Sequence, residues 1–105
     1  MNTGLSPQIM NTITNILAAQ PKVNEAVVFG SRAIGNYEPG SDLDIAVKGP
    51  ALSHQDILQL LAKIDDMELL INIDLVHFDR ISDPDVISHI ERKGKLLFKR
   101  NTNRT

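Results

Sequence analysis

The sequence predicts an α/β (α+β) domain in which a mixed sheet of three to four strands is flanked by helices. Two observations carry this reading. Short β-branched runs, VVF and LDIAV among them, alternate with longer segments in which apolar residues recur at helical spacing. Glycine and proline punctuate the joins, with Gly30 ending one run and Gly49-Pro50 following another.

The first element is a helix. Ser6 and Pro7 suit a cap and a first helical position, and Ile9, Met10, Ile13, Ile16 and Leu17 share a face before Pro21. Val27, Val28 and Phe29 then read as a buried strand leading into a tight turn at Gly30. The second strand is Leu43 to Val47. Ser53, with Asp56 three residues on, opens another helix whose expected buried stripe is Ile57, Leu58, Leu61 and Ile64. The segment from Leu70 to Phe78 is apolar apart from Asn72, Asp74 and His77, and the expectation is a near-central strand. Asp83-Pro84 begins a last helix carrying Val86, Ile87 and Ile90 and ended by Gly94, after which KLLF adds an edge strand.

Length and composition narrow the classes. A chain of 105 residues suits one domain over 1–105, with about 101–105 a frayed tail and no room for an accessory substrate domain. Hydrophobic residues at 42% and charged residues at 23% fit a globular chain rather than a disordered or membrane-bound one. The absence of cysteine excludes disulfide frameworks, thiolate nucleophiles and cysteine-based zinc sites. The first twenty residues lack the basic lead and unbroken apolar run of a secretory signal, and no segment is long enough to span a bilayer, so a cytoplasmic location is expected. A net charge of −2 gives no general affinity for a polyanion. Six of the eleven Lys and Arg lie from Arg92 onward, but that run has few aromatics for base stacking and no nucleic-acid motif. It reads as a basic helix end and a solvated tail, and no direct nucleic-acid binding is expected.

The informative stretch is FGSRAIGNYEPGSDLDIAV, in which ten residues separate Ser31 from Asp42. Alternate residues of a strand face the same way, so Asp42 and Asp44 present both carboxylates on one side while Leu43, Ile45 and Val47 face the other. Two like charges held so close repel unless a cation neutralises them. Magnesium, which takes carboxylate oxygens and keeps positions for water and phosphate, suits the pair better than zinc. Asp74, flanked by Ile73 and Leu75, is a third acid in an apolar strand and is costly there without a partner, which a shared metal would supply. Gly30 lets a phosphate approach the turn's amides, the Ser31 hydroxyl can donate to it, and Arg32 adds positive charge. Gly35, Pro39 and Gly40 permit the sharp return of the loop.

Duller readings exist for each feature, since Gly-Ser turns are common and an Asp-x-Asp triplet can be a solvated edge. A calcium loop fails on spacing, because Ala46, Val47 and Lys48 stand where further oxygen ligands are needed. A P-loop fails because no Gly-Lys-Ser/Thr follows the glycines. His54, His77 and His89 have no ligand spacing and read as surface or partly buried structure, while Asp65, Asp66, Asp79 and Asp85 read as solvated.

The joint pattern GSRAIGNYEPGSDLD, followed by INIDLV after one intervening helix, resembles the minimal nucleotidyltransferase family within the DNA polymerase β-like nucleotidyltransferase superfamily. The likeness spans nearly the whole chain. It implies the polymerase β-like core, ATP as substrate and two Mg2+ ions held by Asp42, Asp44 and Asp74. Asp74 would also help activate the incoming hydroxyl, while Gly30 and Ser31, with Arg32 as a weaker correspondence, hold the triphosphate. Chains of this size and pattern are similar to the antitoxin half of toxin–antitoxin pairs whose partner is a HEPN-domain ribonuclease toxin, and the resemblance implies a hetero-oligomer with that toxin and adenylylation of a toxin tyrosine. The departure is Ile34, where many relatives carry a second basic residue. The alternatives are an antitoxin that occludes its partner with little catalysis, and transfer to a small molecule.

Overall fold

The computed structural model describes residues 3–100. The expected frayed tail at 101–105 lies outside the described residues. Helix α1 (Pro7–Ala18) starts where the sequence places it: the Ser6 side chain accepts from the Ile9 amide at 3.2 Å, and Pro7 sits where no N–H is needed. Strand β1 (Glu25–Phe29) leads through Gly30 into a single-turn helix α2 (Ser31–Ile34), and strand β2 (Leu43–Lys48) returns antiparallel to β1. Helix α3 (His54–Asp65) opens with a capping box, Ser53 and Asp56 each satisfying the other's backbone amide. Strand β3 (Ile73–His77) runs parallel to β2, a 3-10 turn follows at Phe78–Arg80, and helix α4 (Pro84–Lys93) leads into strand β4 (Lys95–Lys99), antiparallel to β1.

The result is the expected mixed sheet of four strands, in the order β3-β2-β1-β4. Its two faces differ. Ala26, Val28, Leu43, Ile45, Val47 and Leu75 meet α1 and α3 through Ile13, Leu17, Ile57, Leu60 and Ile64, which forms the main core. Period-two alternation turns Val27 and Ala46 to the opposite face, where Ile90 of α4 covers them with Phe29, Phe78 and Ile81 around the edge. At ~1.5–3 kcal/mol for each large side chain buried, most of the hydrophobic stabilisation lies on the α1/α3 side.

Two expectations change. The strand expected to be near-central is the sheet's edge: β3 pairs only with β2 among the described strands, and Leu70, expected to begin it, is fully exposed in the preceding loop. In α3 the buried stripe runs through Ile57, Leu60 and Ile64, while Leu58 is 48% exposed. Asp79, exposed as expected, also accepts from the Gly49 amide at 2.8 Å and sits 3.5 Å from His77 Nε2. The basic C-terminal segment is also partly committed: Arg100 donates to the carbonyls of Ala18, Gln20 and Val23 and so closes the C-terminal end of α1.

Candidate active site

The acids come together through sheet register. Asp44 and Asp74 are direct partners on the parallel strands β2 and β3, and strands so paired lie ~4.8 Å apart with facing residues on one side. The ladder begins one residue earlier in the backbone, where the Leu43 amide donates to Asn72 O at 3.0 Å. Asp42 precedes β2 and is exposed, Asp44 is half-buried and Asp74 is exposed. Desolvation by burial, reinforced by the charges of Asp74 and then Asp42, raises the Asp44 carboxyl above its ordinary 3.8. The three acids therefore share one electrostatic environment, on the sheet face that α4 covers further along.

Across the other edge of β2, Asp44 pairs with Phe29, the residue before the Gly-Ser turn. Gly30 has φ +77°, and a Cβ there would stand 2.5 Å from Asp44 Oδ2, so only glycine lets the carboxylate lie over the turn. Ser31 then begins α2, whose first turn leaves amide groups without helical partners. The turn is held by the Ala33 and Ile34 amides donating to Gly30 O at 3.1 and 3.3 Å.

Arg32 is used differently from expectation. Its side chain is 2% exposed and donates to three main-chain carbonyls: Nε to Ser41 at 2.9 Å, Nη1 to Thr3 at 2.7 Å and Nη2 to Pro39 at 3.0 Å. The guanidinium also lies 4.6 Å from the Tyr37 ring centroid. A cation so enclosed shapes the loop between Gly35 and Asp42 rather than standing free for a phosphate. Ile34, on the same turn, is 49% exposed, so the turn presents an apolar side chain there rather than a second cation. His89 on α4 makes an edge contact with Phe29, with ring centroids 6.4 Å apart, a neighbour of the acid pair that no spacing rule indicates.

Among the described residues, no group of three or more His, Asp or Glu side chains already stands close enough to hold a metal ion. The donor chemistry nonetheless fits a hard divalent ion: the convergent groups are carboxylates, their mutual repulsion shows in Asp44, and the Gly30 cradle keeps one of them over the turn. No helix among the described residues is long and apolar enough to cross a membrane.

Comparison with known proteins agrees with this fold. Residues 11–103 match the family model described as polymerase beta, nucleotidyltransferase. Among solved structures, a chain of the crystal structure of a toxin–antitoxin with AMP-PNP superposes with a TM-score of 0.73 at 26% identity, covering 87% of this chain and 73% of that one. A chain of the MntA–HepT toxin–antitoxin gives a TM-score of 0.69 at 23% identity, covering 90% and 74% respectively. A chain of the tri-AMPylated Shewanella oneidensis HEPN toxin in complex with MNT antitoxin gives 0.67 at 23%, covering 89% and 71%. At these last two identities the likeness speaks for the fold. No curated protein matches in sequence.

Proposed function

The chain belongs to the polymerase beta nucleotidyltransferase family, and from that premise we propose that it transfers AMP from Mg-ATP to a tyrosine hydroxyl of a cognate HEPN-domain toxin and so neutralises it. The reading takes residues 1–105 as one nucleotidyltransferase domain acting in the cytoplasm as a hetero-oligomer with the toxin. The observation that carries the chemistry is the Asp44–Asp74 pair, register neighbours on parallel strands, with Asp44 lying over the Gly30 turn. The toxin as acceptor rests on the likeness to the toxin–antitoxin with AMP-PNP, whose chain is matched over most of its length.

Asp42, Asp44 and Asp74 would hold two Mg2+ ions. When bound, these would neutralise the carboxylates and supply positive charge to the phosphates and to the attacking oxygen. The residues of the chain have distinct tasks. Gly30 and Ser31 offer amide groups and a hydroxyl to the triphosphate, and glycine at position 30 leaves room for the Asp44 carboxylate beside them. Asp74, exposed on the edge strand, faces the side from which a protein acceptor can approach and takes the hydroxyl proton. The tyrosine oxygen attacks the α-phosphorus, the bond to the β-phosphate oxygen breaks in line, and pyrophosphate leaves. A tyrosine hydroxyl has an ordinary pKa of ~10, so a carboxylate beside it is needed at neutral pH.

A second reading has its own observation. With Arg32 enclosed and Ile34 apolar and exposed, the phosphate turn presents no cation of its own, which favours an antitoxin that works by occlusion with little catalysis. Intact mass of the HEPN partner, after incubation with this protein, ATP and Mg2+, separates the two. One or more AMP units added by the unmutated protein, and none by a chain with Asp42→Asn and Asp44→Asn, is the expected result. A stable complex with no added mass would replace catalysis with occlusion.

A further inference from the structure

We infer that Arg32 is a positioning residue that sets the aim of Asp42, through a clamp joining the acid-bearing loop to the N-terminal arm. The inference rests on the nucleotidyl-transfer reading above, but its structural half can be tested without it.

Asp42 is the one member of the acid group that the sheet does not hold, because ladder pairing starts at Leu43. The loop before it has a local turn of its own, in which the Ser41 amide donates to Glu38 O at 3.0 Å and the Glu38 amide to Ser41 Oγ at 2.9 Å. Those bonds shape the loop's return without fixing it to the rest of the molecule. Arg32 does fix it. The carbonyl of Ser41 and the amide nitrogen of Asp42 belong to one planar peptide unit, so the 2.9 Å bond from Nε orients the plane from which Asp42 emerges. The bond from Nη2 to Pro39 O, two residues earlier, opposes rotation about that first contact.

The third arm of the fork reaches Thr3 O, 29 positions earlier in the chain. Thr3 is itself buried, and the Tyr37 ring lies against both Arg32 and Gly4, where a Cβ would come within 2.6 Å of the ring at φ +82°. Arm, aromatic ring, guanidinium and loop thus form a continuous stack, and Arg32 follows directly on Ser31 of the phosphate turn. One side chain therefore links the turn that would hold the triphosphate to the loop that would hold one of its acids. A planar guanidinium offers donors in several fixed directions, whereas a lysine ammonium on a flexible stem cannot reproduce all three bonds. Charge at position 32 and geometry at position 32 can accordingly be separated by substitution.

The experiment compares the full chain with Arg32→Lys, Arg32→Ala and Tyr37→Leu in three measurements: hydrogen exchange of residues 36–42 without nucleotide, affinity for Mg-ATP, and turnover on the protein acceptor. Arg32→Lys is expected to speed exchange in 36–42 about tenfold or more while leaving β1 and β2 unchanged. It is expected to leave ATP affinity within about threefold and to lower turnover on the order of 10²-fold, the mark of a misplaced group rather than a lost ligand. Tyr37→Leu should give the same pattern in weaker form, and these two variants carry the test if Arg32→Ala fails to fold. Wild-type exchange and turnover in Arg32→Lys would overturn the inference, since charge alone would then suffice. A fall in ATP affinity as large as the fall in turnover would also overturn it, by making Arg32 a phosphate ligand. If the unmutated protein transfers nothing to any acceptor, the proposed function fails, and the exchange comparison still decides whether Arg32 clamps the loop.

Discussion

At Gly30 two constraints meet: φ is +77°, and any Cβ would stand 2.5 Å from Asp44 Oδ2. Gly30→Ala should therefore cost roughly 1–3 kcal/mol, because φ +77° with ψ −159° is backbone essentially reserved for glycine, and should also push the carboxylate off the turn. In a domain of this size about 1 kcal/mol lowers the melting temperature by about 4–8 °C, and transfer should fall on the order of 10²-fold. A variant that melts lower yet transfers at the wild-type rate would show that Asp44 need not lie over the turn. Asp44 itself predicts a conflict between stability and function. Its folded pKa is raised, so the proton favours the folded state; the stability it contributes is present below pH 3.8 and is lost as pH rises through the folded value. Asp44→Asn removes that cost, so without divalent ions the variant should melt higher than wild type at pH 7, with the gap closing toward pH 3, while transfer is abolished. Equal melting at pH 7 would mean that the acids do not burden the fold. Asp44 and Asp74 are legible in the sequence as candidates because an acid inside an apolar strand stands out locally, and Asp42 because it lies two residues before Asp44. The role of Arg32 is not, since a cation beside a Gly-Ser turn looks the same whether it meets a phosphate or the carbonyl of Thr3, and only the assembled chain brings Thr3 there.

The elements were easiest to read where chemistry marks their ends. Ser53 with Asp56 announces α3, and both halves of the box form, so Ser53→Ala should destabilise by about 1 kcal/mol, measured by denaturant unfolding. Hydrogen bonding from the Ser53 backbone amide, with further help from Lys22 and the Ser53 hydroxyl, holds the Asp56 carboxyl below 3.8 despite some desolvation. Here the sign is the reverse of Asp44: the stability exists above pH 3.8 and is lost as pH falls through the lowered folded value. Asp56→Asn should accordingly be less stable than wild type at pH 7 and converge with it in acid, and a gap that persisted below that range would point to packing rather than charge. Which face of α3 turns inward was harder to read, because Leu58, Leu60 and Leu61 allow two overlapping stripes and only the sheet selects Leu60. The apolar run before Asp74 misled for a related reason. Leu69, Ile71 and Ile73 pack against the main core, although only Ile73 belongs to the strand, so hydrophobicity there signals a packed loop as much as a central strand.

Across the whole molecule, stability and chemistry occupy opposite faces of the sheet. The main core under α1 and α3 lies on the side away from Asp44, while the small cluster of Val27, Ala46 and Ile90 shares the acids' face and sits directly along β1 and β2 from them. Alternation along β2 makes this division visible in the sequence, but which helix would cover which face depends on long-range packing and was not visible there. Leu60→Ala and Ile90→Ala each empty a fully buried site and should each cost about 2–5 kcal/mol. Their effects on transfer should nonetheless differ. Leu60 supports the sheet from behind, so its loss should reduce the folded fraction while each folded molecule keeps its turnover. Ile90 holds α4 over the acids' face, where His89 touches Phe29, the strand partner of Asp44. Its loss should therefore lower turnover per folded molecule even at a temperature well below melting. Turnover corrected for the folded fraction, from unfolding curves run beside the assay, is the deciding measurement: if both variants retain wild-type values, the small cluster stabilises α4 without shaping the site, and the register of β2 and β3 alone sets the acid pair.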